Sequence, residues 1–537
     1  MLNKYYLCIL FVLHFLFISL YSDFEIIDED SIIDTDEHLF LMLDTTPEKE
    51  FGSSKKLEYD LLHYLRYQDT TENFRNINRV IVKTNVFDLK LYQEYNTNIT
   101  NTPIPFGGSL SISRKPSEKF ILGQYQISHA YGLSVARGSF ISQKPGFSTD
   151  FRQNRVTVSS NSRPYFSRSF LGVSYEKNVF DNFTTVIYSS LKETAARLTA
   201  EGKIDRLYIE EKYPQEKVWL NTNGGILHYR NGNLNASTAI NYTIAEYAFQ
   251  DNNVTPVTGS IAASYNYNQY LFFTETAYAN SALANISGIR FNNQRFTQIL
   301  SYRHFENGYN AIFADYISNS SNGTNEQGLF YKIEYRSRQY TIQSYADLFN
   351  NIDNDLRYMD RNQGVAYGVN FEKYGLYKYN DMGLGISYRQ KTDKEWRNLS
   401  GISRYEDRIR DYLKITWTQT DTRTLRTRLI LNYQSREYPD YDIKNKGYAL
   451  TQNINIIFPN YRLSFTGGFF DTEIPIYLYL YAGRLNNSMY VLNGEGQFAM
   501  LHFRINKWKS LSVELMNSVL RKDNLEYLSS LVVGYAF

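Results

Sequence analysis

The chain has 537 residues, a net charge of +2, 21% charged residues and a mean hydropathy of −0.44. Those values exclude a bundle of transmembrane helices, which needs repeated runs of about 20 apolar residues; with 43% hydrophobic and 16% aromatic residues they exclude a disordered chain as well. The near balance of charge gives no net pull towards nucleic acid, and 48 Tyr with 34 Phe against 11 Pro and one Cys is a composition that an ordinary soluble enzyme has no reason to carry.

The long apolar run is at the start, where Ile9 to Leu20 follow a short segment containing Lys4. A basic start, an apolar stretch and the small Ser22 before an acidic segment read as a secretory signal peptide over 1–22. Cys8 would leave with it, so the mature chain is expected to be free of cysteine, without disulfides, thiolate metal sites or cysteine nucleophiles. Asp23 to Glu50 holds eleven acids and one lysine, a solvated tether or a docking tail for a basic periplasmic partner. Within 54–67 the spacing of Leu57, Leu61, Leu62 and Leu65 fits a short amphipathic helix. The whole of 23–78 therefore reads as an acidic periplasmic extension, with a barrel beginning at 79.

From about Val80 onward the chain alternates with period two, in segments of about 8 to 12 residues separated by Asn, Gly, Asp and Ser. Leu413, Ile415 and Trp417 alternate with Lys414, Thr416 and Thr418. Leu425, Leu429, Leu431 and Tyr433 share a face opposite Arg426, Arg428, Asn432 and Gln434. Leu329, Tyr331, Ile333 and Tyr335 oppose Lys332, Glu334 and Arg336, while Leu501, Phe503 and Ile505 oppose His502, Arg504 and Asn506. A soluble sandwich also alternates. Three features favour a membrane barrel instead. Aromatics concentrate near segment ends, as interfacial girdles require. Consecutive inward positions carry full charges such as Arg426 and Arg428, which suit a wet lumen. The chain also ends on an alternating strand, Leu531, Val533, Tyr535 and Phe537, which resembles the assembly signal of bacterial outer-membrane barrels. The expected fold is all-β, a large transmembrane antiparallel β-barrel of roughly 20–26 strands in the bacterial outer membrane. Such a barrel is too wide for its own side chains to fill, so it conducts or is plugged. The stretch before the first strand is short for a siderophore-type plug domain.

Several stretches resemble a barrel family, best represented in the Bacteroidetes, whose members usually carry helix-hairpin-helix repeats before the barrel. Leu122-Gly123-Gln124-Tyr125-Gln126-Ile127-Ser128-His129-Ala130-Tyr131-Gly132-Leu133 is similar to its G-D-Y-x-x-x-x-G-x-G-L pattern, with Gln124 in place of the acid and Ala130 in place of a glycine. Ser162-Arg163-Pro164-Tyr165 resembles its R-P-Y stretch, and Tyr345-Ala346-Asp347-Leu348-Phe349 its Y-x-D-x-F strand. Phe470-Asp471-Thr472, Ile476-Tyr477-Leu478-Tyr479 and Gly494-Glu495-Gly496 resemble its closing pattern. The likenesses fall in order over about 110–537. No helix-hairpin-helix signature stands between 23 and 80, so the resemblance implies a fold and no settled activity, and no nucleic-acid partner is expected.

Between Ser113 and Phe170 there are nine basic residues and two acidic ones, and 134–164 alternates poorly. In a wide barrel such a segment can fold inward. Arg137, Lys144, Arg152, Arg155, Arg163 and Arg168 are the candidates for a constriction favouring anions. The alternative is a surface loop or lumen wall whose charges are met by inward acids such as Glu334 and Glu514. No two of the histidines stand at metal-ligand spacing, so no metal or cofactor is expected. His129 lies near Ser128 and Ser134, but the sequence supplies no third group to orient a nucleophile.

The sequence therefore leads to an outer-membrane protein that passes small polar or anionic solutes by steric and electrostatic filtering and is not an enzyme. Its expected partners are outer-membrane lipid, the barrel-assembly machinery and a periplasmic protein at 23–50. A second reading is a non-conducting barrel whose outer loops, around 319–326 and 391–408, bind a partner. A third, an outer-membrane hydrolase, would need a Ser–His–polar cluster near the membrane rim.

Overall fold

The computed structural model describes residues 58–536, with the exception of 69–72, 97–105, 116, 137–144, 152–155, 162–168, 208–215, 249–256, 320–324, 353–362, 376–380, 400–401, 421–423, 482–486, 509–510 and 522–524. In chain order the strands are β1 (Glu58–Gln68), β2 (Asn73–Lys83), β3 (Phe87–Asn96), β4 (Phe106–Lys115), β5 (Glu118–His129), β6 (Val156–Ser160), β7 (Phe170–Phe180), β8 (Phe183–Leu198) and β9 (Ile204–Leu207). They continue with β10 (Glu216–Asn231), β11 (Leu234–Ala245), β12 (Val257–Tyr267), β13 (Tyr270–Ala279), β14 (Ala282–Asn292), β15 (Phe296–Phe305), β16 (Glu326–Arg336), β17 (Tyr340–Asn350) and β18 (Gly364–Tyr374). The last eight are β19 (Asp381–Leu399), β20 (Ile402–Thr420), β21 (Leu425–Tyr438), β22 (Ile443–Ile457), β23 (Tyr461–Tyr481), β24 (Asn487–Trp508), β25 (Leu511–Arg521) and β26 (Leu525–Ala536).

All pairings are antiparallel, and each wall strand pairs with the next along the chain. β26 pairs with β1 from Asp60 to Gln68 and so brings the sheet back to its first strand. Of the 26 strands among the described residues, β6 and β9 are short additions to β5 and β8, which leaves 24 in the wall. An even count is the rule for barrels of this kind.

Alternation sets the two faces. Ile187, Leu191, Trp219, Ile240, Ile261, Leu300, Leu348, Leu429 and Leu501 are exposed on the outside. Their sequence neighbours Tyr188, Ser190, Leu220, Ala239, Ser260, Ser301, Asp347 and His502 are buried on the inside. A continuous exposed apolar surface of this size belongs against hydrocarbon rather than water. Ile240→Arg should therefore cost about 2–4 kcal/mol if the residue faces the bilayer midplane. Urea unfolding in lipid would read this, and an unchanged midpoint would mean that the face is not in the membrane.

One rim carries the aromatic girdle. At the short turns, Phe180 stacks edge-on against Phe183, Phe183 meets Tyr229, Tyr270 meets Phe272 and Phe291, and Phe296 meets Tyr335, which meets Tyr340. Phe458, Tyr461 and Phe503 continue the series. Amphipathic rings of this type hold a rim at the headgroup level.

Three expectations need correction. Residues 58–68 are a wall strand and not part of a helix, and the barrel begins at Glu58 rather than 79. The leucine spacing fits both periods. What decides is that β1 has ladder partners on both edges, β2 and β26, which a helix would leave unpaired. The stretch 391–408 is mostly strand, belonging to β19 and β20, and Asn319 and Glu326 are buried rather than displayed on an outer loop. The signal peptide and the acidic segment lie outside the described residues.

Candidate functional site

Two sectors of the inner wall differ. From β5 to β18 much of it is buried beneath inward-folded connections. Phe273, Ala277 and Ala279 of β13, Ala284 and Ile286 of β14, Ile299 and Phe305 of β15, Phe330 of β16, and Tyr345 and Phe349 of β17 form one buried cluster. Leu133 and Phe151 pack on it from the β5–β6 connection, as do Tyr309, Tyr316 and Ile317 from the β15–β16 connection. A second cluster joins Ile121, Tyr125, Val186, Tyr188 and Ile226 to Val135 and Phe313. The two connections therefore fold into the lumen and form an internal plug, held by burial of apolar surface.

Gly123 starts the inward turn. Its φ of 99° lies in the left-handed region, and a β-carbon there would collide with the carbonyl oxygen of Gly108. Beyond it, Gln124, Tyr125, Gln126 and Ile127 are all buried, so the end of β5 no longer has a solvent or lipid face. Wall lysines hold the returning strand: Lys119 Nζ donates to the Val158 carbonyl at 2.7 Å and Lys90 Nζ to that of Ser160 at 3.2 Å. The two connections bind each other through Ala136 N–H to Phe313 O at 2.9 Å and Asp315 N–H to Gly132 O at 2.9 Å. Tyr309 O–H donates to Leu133 O at 2.5 Å.

Polar clamps fix the plug to the wall. Arg303, 4% exposed, donates from Nε to Glu326 Oε1 at 2.5 Å, and from Nη1 and Nη2 to the two oxygens of Asp347 at 2.7 and 3.0 Å. Gly328 on the adjacent strand leaves the room that the guanidinium occupies. The plug completes this cluster: Ser318 Oγ and the Asn319 N–H donate to Glu326, each at 3.0 Å, and the Asn319 side-chain amide donates to Asp347. Asn319 Oδ1 in turn accepts from Lys391 Nζ on β19 at 3.0 Å. Arg290 Nε lies 2.9 Å from Asp150, and Lys332 donates to the carbonyls of Phe147 and Thr149.

His129 belongs to the same interface. Its Nε2 is 2.8 Å from Ser237 Oγ, and its Nδ1 lies 3.2 Å from Ser260 Oγ and 3.7 Å from Glu275 Oε1. Glu275 Oε2 accepts the backbone N–H groups of Tyr131 and Leu133 at 2.7 and 3.3 Å. These are the residue types of a nucleophile–base–acid set, but His129 and Glu275 are both 0% exposed. A substrate has no approach to Ser237, and the third position orients the turn of the plug. The geometry describes an anchor.

A second sector of the wall, the three strands β19 to β21, is charged. Register places Lys391, Arg410 and Arg436 directly abreast on three neighbouring strands. One row away on one side are Arg389, Tyr412 and Gln434, with the Arg389 guanidinium 4.6 Å from the centre of the Tyr412 ring. On the other side Asp393 faces Arg408. Arg408 forks onto Asp393 at 2.8 and 3.0 Å, and Arg410 Nη2 reaches it at 2.7 Å. Lower on the same face, Arg426 and Arg428 are exposed to the lumen while Leu429 and Leu431 are exposed outside, as alternation predicted.

Arg137, Lys144, Arg152, Arg155, Arg163 and Arg168 all lie outside the described residues. The described parts of 134–164 do fold inward: 134–136 and 145–151 sit in the plug, and 156–160 is β6. Glu334 lies beside Lys332 and Arg336, and Glu514 lies 3.0 Å from Arg504, all of them cations of the wall itself. Leu531, Val533 and Tyr535 stand opposite Leu65, His63 and Leu61 of β1, in the strand that joins the two ends of the sheet, while Phe537 lies outside the described residues. Sequence reasoning missed the row of Lys391, Arg410 and Arg436. Hairpin register across 399–402 and 438–443 is the signal that would have found it.

No protein-family model and no curated protein matches the sequence. Among solved structures the chain is similar to the P pilus usher (PapC) translocation pore, at 10% identity over 90% of this chain and 99% of that one, with a TM-score of 0.35. It is also similar to the copper transporter OprC, at 8% identity over 91% and 82% and a TM-score of 0.45. The ferric enterobactin receptor PfeA of Pseudomonas aeruginosa matches at 8% identity over 91% and 81%, with a TM-score of 0.46.

Proposed function

We propose that the protein passes small polar solutes across an outer membrane, anions ahead of cations, through the part of the lumen beside the charged wall. One observation carries the reading. The sector of the wall from β5 to β18 is covered by the plug, whereas the three strands β19 to β21 keep full charges such as Arg426 and Arg428 in contact with solvent. Charges are costly unless they are wet or paired, so water runs along that side. Excess cations there attract anions and repel cations. The N-terminus would lie in the periplasm, on the side of the short turns, and outer-membrane lipid and the assembly machinery would be the partners. The ordered motif likenesses support membership of the Bacteroidetes-type barrel family.

The internal plug gives weight to a second reading, a closed barrel that binds a ligand. Planar-bilayer recording of the refolded protein under a salt gradient separates the two. Passage predicts steady anion-selective steps, and Arg410→Glu with Arg436→Glu should shift the reversal potential towards cation preference. A folded but silent barrel would sink the passage reading.

A further inference from the structure

We propose that Lys391, Arg410 and Arg436 form a binding site for a multiply charged oxyanion of the phosphate type, a claim that deepens the passage reading and rests on it for its role. Residues directly opposite on paired strands have Cα atoms about 4.5–5.5 Å apart, and like charges so placed destabilise the sheet. Here three cations stand in such a row on β19, β20 and β21. Across this row and the two beside it there are five cations, Arg389, Lys391, Arg408, Arg410 and Arg436, and one carboxylate, Asp393. Asp393 is held at one end by the fork of Arg408, by Arg410 and, at 3.6 Å, by Lys391, one carboxylate shared among three cations. Glu406, paired with Glu395, is a further row away. The flanking strands contribute Ala366 and Asn445 at the same level, so no acid closes the row from either side. Arg436 Nε is buried without a hydrogen-bond partner among the described residues. A buried donor in this state can be met by a ligand or by water.

Two guanidinium forks and an ammonium within one row suit an anion with several oxygens and more than one charge. Arginine matches phosphate geometry bidentately, and lysine adds a point charge. A singly charged halide would use little of this arrangement. Asn319 of the plug, bonded to Lys391, forms the border of the site.

The test is calorimetric titration of the folded, detergent-solubilised full chain with sodium pyrophosphate, with sodium chloride at matched ionic strength as reference. Wild type should bind pyrophosphate saturably, and Arg410→Gln with Arg436→Gln should weaken binding at least tenfold, about 1.4 kcal/mol. Arg410→Lys with Arg436→Lys should retain part of it. Lys203→Gln with Lys217→Gln removes two charges elsewhere and should leave binding as in wild type. Equal affinity in wild type and the Arg410/Arg436 glutamine variant, or equal losses in both charge-neutralised pairs, would overturn the site. Titration does not depend on conduction, so a silent barrel that still binds pyrophosphate would refute passage and keep the site. A conducting barrel without saturable binding would do the reverse.

Discussion

Replacing Arg303 by methionine is expected to destabilise the barrel by about 3–5 kcal/mol, because it leaves two buried carboxylates without their cation. Glu326 and Asp347 are both 0% exposed, and one guanidinium serves both through three hydrogen bonds. Removing all the charges is a different experiment. Arg303→Met combined with Glu326→Gln and Asp347→Asn should recover much of the loss, since desolvation of the ions is then no longer imposed on the fold. Urea midpoints in lipid vesicles for the two variants would check both statements. If the single and triple variants unfold alike, the cluster acts through packing rather than charge. The plug donors Ser318 and Asn319 share these carboxylates, so the single variant should also loosen the β15–β16 connection, and proteolysis there should quicken.

Replacing residues 309–317 by a short glycine–serine linker should enlarge the conductance severalfold, because a wall of 24 strands is far too wide to be filled by its own side chains. Tyr309, Phe313, Tyr316 and Ile317 are the apolar contacts of this segment with the wall. Their loss wets Phe305, Phe330 and Phe349, so the variant will be less stable and must be recorded from preparations that still run as folded barrel. Larger, still anion-preferring steps are the expected result. An unchanged step size would mean that solutes already travel wholly outside the space occupied by the plug.

The wall was legible in the sequence because lipid outside and polar contents inside impose opposite demands on alternate residues. Leu429 and Leu431 against Arg426 and Arg428 show this in a single strand. The plug was legible only in part: poor alternation marked 134–164 as a stretch that can fold inward, but nothing marked its partner, the β15–β16 connection. Tyr309 and Leu133 lie far apart in the chain, each within an irregular connection that shows no period, and they become a core only when the barrel brings them together. The first strand was misread because a leucine every three or four residues satisfies a helix as well as a mixed strand, and its partners in β26 are at the far end of the chain. The cationic row is hidden for a related reason: Lys391, Arg410 and Arg436 are far apart in sequence and close only through register.

The pairing of Asp60 with Ala536 has a consequence for how the protein is made. Every other wall contact joins strands adjacent or nearly adjacent in the chain, so hairpins can form as synthesis proceeds. The seam waits for β26. Entropy is not the main obstacle, since each doubling of the intervening length adds only about 0.6 kcal/mol. Time is. Until the seam forms, β1 and β26 present two open rows of hydrogen-bonding groups, a template for pairing with any neighbouring chain. A nascent molecule of this kind needs both open sheet edges protected at once, and a truncation that removes only β26 should be lost to aggregation before it reaches a membrane.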